Sequence, residues 1–107
     1  MGEYHYHKAN PEKLARLKEL RPELFQSFHD FNEKVFSPGA LPVKVKELIA
    51  VATAHITQCP YCITLHTKMA KEAGASEEEL AEAIFVAVAL QAGGSFVHSS
   101  IALEALE

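Results

Sequence analysis

The chain has 107 residues, 49% of them hydrophobic and 22% charged, with no tryptophan and a formal net charge of −4. That length supports one domain with one core, residues 1–107, and the composition describes an ordered, Ala-rich globular chain and excludes a disordered one. The lysines are scattered and form no basic cluster, which excludes the electrostatic footprint of a nucleic-acid binder. Met1 to Lys8 is polar and carries no export signal, and the longest purely apolar run, Ala83 to Leu90, is far shorter than the roughly 20 residues of a membrane helix. The expectation is a cytoplasmic protein with no membrane partner. In that compartment a pair of cysteines points to catalysis or metal binding before a structural staple.

Pro11 can open a first helix, Glu12 to Leu20, which Arg21-Pro22 closes. A second is predicted from about Glu23 to Phe36, with Leu24, Phe25, Phe28, Phe31, Val35 and Phe36 at helical period and Phe28 and its neighbours as core. Ser37-Pro38-Gly39 is a turn, and Pro42 suits the start of a third helix reaching about Gln58. Val43 and Val45 alternate with lysines, as in a strand, but Val45, Leu48, Ile49, Ala52 and Ile56 keep helical spacing. The residue before a proline avoids the α region, so Cys59 is expected at an N-cap and Pro60 at the first position of a fourth helix that runs to Ala73. Gly74 is its left-handed terminator. Ser76 to Glu79 spells a capping box. The fifth helix that follows is apolar on every face from Ala83 to Leu90, which suits a central or interface element. Gly93-Gly94 is expected to break it, giving a last helix from Ser95 to about Leu106 with Phe96, Val97, Ile101 and Leu106 inward. The fold expected is a compact all-α bundle of about six helices.

Both cysteines fall in Cys59-Pro60-Tyr61-Cys62, and His66 follows one turn later. On a helix beginning at Pro60 these three side chains share a face, because they stand at i, i+3 and i+7. An imidazole four residues from a thiol can exchange its proton, and two thiols three residues apart can close a disulfide if their Cα atoms lie within about 7 Å. Cys-x-x-Cys after a strand would suggest a thioredoxin motif, but a helix precedes it here.

With Glu47 ahead of the pair, Cys59-x-x-Cys62-x-x-x-His66, then Gly74-Ala75-Ser76, an apolar helix and Gly93-Gly94, the sequence resembles the carboxymuconolactone decarboxylase family. More specifically, it is similar to the branch containing alkylhydroperoxidase D, over roughly Leu41 to Ser99. The resemblance implies an all-α oligomer, a trimer or hexamer, that reduces hydrogen peroxide or alkyl hydroperoxides. Cys62 would attack the peroxide, Cys59 would resolve the sulfenic acid, and Glu47 with His66 would relay protons. It implies no cofactor or metal beyond a redox-active Cys59–Cys62 disulfide, and a lipoylated or thioredoxin-like protein, or a small thiol, as reductant. Tyr61 stands where that branch carries a second histidine; a tyrosine donates a hydrogen bond but does not titrate near neutrality as histidine does. Decarboxylases of the wider family lack the dithiol, so the cysteines argue against that activity.

Other readings of the same residues stay open at this level. Helix-dipole reasoning favours the Cys59 thiolate at the N-cap, whereas proximity to His66 favours Cys62. Cys59, Cys62 and His66 could instead bind zinc with Glu47, His55 or His98 as fourth ligand, although no second motif completes the spacing. The pair could also be buried and inert, since free cysteine is among the most buried residue types. Alone, Glu47 would be a solvated partner of Lys44, and His66 a satisfied core histidine. His55 and His98 are candidate pocket residues; His5, His7 and His29 are expected at the surface or in the tail. A redox or metal-responsive module, or another activity on the same scaffold, is the alternative to a peroxidase.

Overall fold

The computed structural model describes residues 10–107, whose regular structure is entirely helical: α1 (Pro11–Leu20), α2 (Pro22–Phe36), α3 (Val43–Thr57), α4 (Pro60–Glu72) and α5 (Glu77–Glu104). Proline sets several of the boundaries. Asn10 caps α1, its side chain accepting from the N–H groups of Glu12 and Lys13 at 3.0 and 3.2 Å, with Pro11 in the first turn, where no N–H is needed. Arg21 precedes Pro22, leaves the helical region at φ −140°, and so serves as both the end of α1 and the N-cap of α2. Pro42 caps α3 and Pro60 opens α4.

Gly74 has φ +97°, the left-handed conformation that ends α4 without a Cβ penalty. Two residues on, Ser76 Oγ accepts from the Glu79 N–H at 3.0 Å and Glu79 Oε1 accepts from the Ser76 N–H at 2.8 Å, the reciprocal pair expected from the sequence. That backbone bond, with the ammonium of Lys44 2.9 Å from Glu79 Oε2, holds the Glu79 carboxyl below the usual range. Lys44 therefore pairs with Glu79, across α3 and α5, and Glu47 is left for another partner.

α3 is the central element, packed on one side by α4 and on the other by α5. The buried residues Val51, Ala54, Ala70 and Ala87 mark these two contacts, and their small size lets the helices approach closely. α1 packs on α2, and α2 meets α3 near its own C-terminal end. There Lys46 Nζ donates to the carbonyls of Val35 and Ser37 at 2.7 and 2.5 Å, satisfying groups that the end of α2 leaves open.

Two expectations about this architecture are corrected. Gly93-Gly94 does not break the chain, and the fifth and sixth helices are one element of 28 residues. A helical glycine costs about 1 kcal/mol relative to alanine, and two are outweighed by the helix-forming runs on either side, in a helix with no proline to remove a hydrogen bond. The aromatic core also differs. Phe28 is 63% exposed and Phe96 79%, with Phe31, Val97, Ile101 and Leu106 exposed as well. The periodicity was that of an apolar stripe, but the chain itself brings nothing to cover it. Phe25 is half-buried, stacked on His29 at 5.8 Å and beneath the Lys18 ammonium at 4.8 Å. α5 is also the one helix among the described residues that is long and apolar enough to cross a membrane, by length and composition.

Candidate active site

The α3–α4 junction places the cysteines. Gln58 turns the chain in the left-handed region at φ 59°, ψ 48°, and the Cys59 N–H donates back to the Ala54 carbonyl at 3.1 Å, sealing the end of α3. Cys59, constrained by Pro60, is extended at φ −106°, ψ 97° and takes the N-cap position. Its Sγ accepts from the Cys62 N–H at 3.2 Å, so the first turn of α4 draws the two residues together. Cys59 and Cys62 are disulfide-bonded, with Cα atoms 5.3 Å apart, inside the usual disulfide range. Both are half-buried.

One turn further along α4, the His66 Nδ1–H donates to Glu47 Oε1 at 2.7 Å. Glu47 is 1% exposed, the only polar residue among the described ones to be buried, and the His66 side chain is 16% exposed. A buried carboxylate without a partner would carry a heavy desolvation cost, so this bond is what allows Glu47 to occupy the interior. It also fixes the tautomer when Glu47 is ionised: Nδ1 carries the proton and Nε2 is left to exchange protons with whatever occupies the site. Residues 19 positions apart in sequence thus meet because α3 and α4 pack side by side.

Cys62 and His66 line a cavity of about 490 Å³ between the end of α2 and α3. Val35, Phe36, Leu41, Ile49 and Ala50 supply an apolar wall, with Lys46, Thr53 and Thr57 as its polar side chains along α3. The cavity is large enough for an organic molecule of moderate size. Cys62 lines the cavity and Cys59 does not.

The remaining candidates lie elsewhere. Tyr61 is exposed on the first turn of α4. His55 is on α3 with its Nδ1 2.7 Å from the Val51 carbonyl, and it lines a smaller cavity of about 310 Å³ with Ile84, Val88 and Gln91 against α5. His98 is exposed on α5. His29 pairs with Glu33 at 3.1 Å on the surface; His5 and His7 fall outside the described residues. No cluster of three or more histidine, cysteine or acidic side chains arranged to hold a metal occurs among the described residues. Two residues shape the site that the sequence did not single out, Phe36 and Lys46. Phe36 lies parallel to the His66 ring with centroids 5.0 Å apart. The apolar stripe of α2 announced Phe36 only as core, and nothing in the spacing of Lys46 marks its bond to the end of another helix.

The fold and this site define a helical protein whose cysteine pair sits at a helix N-terminus beside a buried Glu–His pair. The chain belongs to the carboxymuconolactone decarboxylase family, whose model matches residues 22–105. It is 46% identical over 81 residues to "uncharacterized protein 4 in cox locus" of Paracoccus denitrificans, a match covering 76% of this chain and 73% of that protein. Among solved structures it is similar to a protein from Methanobacterium thermoautotrophicum, with a TM-score of 0.75, 40% identity, and coverage of 79% of this chain and 96% of that one. It is also similar to an apo carboxymuconolactone decarboxylase family protein from Legionella pneumophila, with a TM-score of 0.72, 38% identity, and coverage of 89% and 85%.

Proposed function

We propose that this chain is a thiol-dependent peroxidase of the alkylhydroperoxidase D type. The observation that carries the proposal is the meeting of a Cys59–Cys62 disulfide and a buried Glu47–His66 pair at one apolar cavity, with Cys62 and His66 in its wall. Each step balances. The Cys62 thiol passes its proton to His66 Nε2, the thiolate attacks the hydrogen-bearing oxygen of a hydroperoxide, the O–O bond breaks, and the departing oxygen takes that proton from Nε2, giving Cys62 sulfenic acid and an alcohol or water. The Cys59 thiol then displaces hydroxide from that sulfur as water, and the disulfide forms. A dithiol reductant, lipoylated or thioredoxin-like, exchanges with the disulfide through Cys59, which does not line the cavity, and returns both thiols. No metal or organic cofactor takes part.

Mild peroxide treatment of the reduced protein is expected to lower the intact mass by two hydrogens, and dithiothreitol to restore it. A stable sulfinic product with no disulfide would overturn the resolving role of Cys59.

Assembly belongs to the same proposal. A compact monomer of 11.8 kDa should expose about 5,900 Å², whereas this chain exposes 8780 Å². Even with the first nine residues set aside at their unfolded-chain value of about 1,600 Å², the excess is more than about 1,000 Å² per chain, the amount an obligate interface buries on each subunit. The exposed apolar residues of α5 and the stripe on α2 supply it. We therefore propose a cytoplasmic homo-oligomer, closed as a trimer or hexamer, in place of insertion of α5 into lipid, since α5 already packs along α3. Light scattering in detergent-free buffer at micromolar concentration is expected to give three or six times the chain mass. A monomer under those conditions would sink this.

A further inference from the structure

Phe36 ends α2 with its ring laid against the imidazole of His66, the centroids 5.0 Å apart and the planes 17° from parallel. The contact covers the face of the imidazole; its Nδ1 edge is already bound to Glu47 Oε1 at 2.7 Å. The edge bond limits rotation about Cβ–Cγ to the range that hydrogen-bond geometry tolerates. A flat neighbour on the face narrows that range, and with it the swing of Nε2.

The placement of Phe36 depends in turn on Lys46. Its Nζ donates to the carbonyls of Val35 and Ser37, the residues on either side of Phe36, at 2.7 and 2.5 Å. α2 has little other contact with the body of the chain, because its stripe of Leu24, Phe28 and Phe31 is exposed. Neighbouring residues of α3 therefore hold the imidazole by two routes: Glu47 directly at its edge, and Lys46 through the residue that covers its face.

We infer that Phe36 is a positioning residue for His66 and that Lys46 is the pin that keeps it in place. The orientation of the imidazole is then set by α2 as well as by Glu47. The consequence for catalysis rests on the peroxidase proposal; the consequence for ring orientation does not.

The test uses two readouts on the full-length protein. The first is the His66 Nδ1–H proton resonance, which a fixed, covered imidazole protects from exchange with water. The second is the rate of peroxide-dependent oxidation of Cys62. Phe36→Leu keeps apolar bulk and removes the flat face, so it is expected to expose the resonance to exchange and to slow oxidation about twofold to tenfold, the range an aromatic pair is worth. Phe36→Tyr should restore both. Lys46→Met should resemble Phe36→Leu, and Lys46→Arg should resemble the wild type. A protected resonance in Phe36→Leu would overturn the inference, as would a Phe36→Tyr protein no better than Phe36→Leu. If Phe36→Leu fails to fold, the Lys46→Met and Lys46→Arg pair decides. Should the wild type not react with peroxide at all, the peroxidase proposal fails while the resonance still tests the position of the ring.

Discussion

Cys62→Ser is expected to abolish peroxide turnover, whereas Cys59→Ser should still consume one equivalent of peroxide per chain and then stop. The difference follows from where the two sulfurs stand. Cys62 lines the cavity with His66, one helical turn away, and a hydroperoxide lodged against the apolar wall meets that sulfur first. Cys59 is at the N-cap and outside the cavity lining, and in the proposed mechanism it attacks Cys62 and meets the reductant. Without Cys59 the sulfenic acid on Cys62 has no internal thiol to condense with, so the single oxidation persists and drifts to sulfinic acid under excess peroxide. The competing argument is electrostatic: an N-cap sulfur sits at the positive end of α4 and gains thiolate character. Stopped-flow consumption of peroxide by each variant, with mass analysis of the product, separates the two. Retention of the first oxidation in Cys62→Ser and its loss in Cys59→Ser would invert the roles and hand the result to the helix dipole.

The helices were legible wherever local chemistry decides them. Pro11, Pro22, Pro42 and Pro60, the glycine at φ +97° and the Ser76–Glu79 box each act within a few residues, and the boundaries follow from them. Gly93-Gly94 misled because a glycine pair is only a modest local cost, and a long apolar helix held along α3 outweighs it. Phe28 and Phe96 misled for another reason. Periodicity shows that a face is apolar; it does not say whether the chain itself or another subunit covers that face. In the site, Cys59, Cys62 and His66 were readable because one helix carries all three. Glu47 came from the family resemblance, since on spacing alone it belonged to Lys44, and the packing of α3 against α4 gives it to His66 while Lys44 goes to Glu79. Phe36 and Lys46 stayed hidden because their part depends on where the end of α2 comes to rest, a long-range contact with no local signal.

Glu47→Gln and His66→Asn are each expected to lower peroxide turnover by at least tenfold, with the double variant close to the worse of the two. A thiol of ordinary acidity is a few per cent ionised at pH 7, so ionising it fully gains about thirtyfold at most, and the accompanying fall in basicity takes back part of that gain. A positioned proton donor for the leaving oxygen contributes more, about 10²–10⁴ in rate or roughly 3–5 kcal/mol of barrier. In the proposed mechanism His66 is that donor, and Glu47 sets how well it would serve. Glutamine at 47 can still accept from the Nδ1–H, so the ring stays in place, but it no longer supplies the negative charge that stabilises the imidazolium before proton transfer. Asparagine at 66 removes the donor outright and leaves the 1%-exposed Glu47 carboxylate without its partner, so thermal stability must be measured alongside rate. Because the two residues work through one bond, their free-energy losses should fall far short of adding. Full additivity would mean that they act separately. An unchanged rate in both single variants would remove the relay from the mechanism and leave the dithiol as a redox or metal-responsive switch, which titration of the reduced protein with zinc would then distinguish.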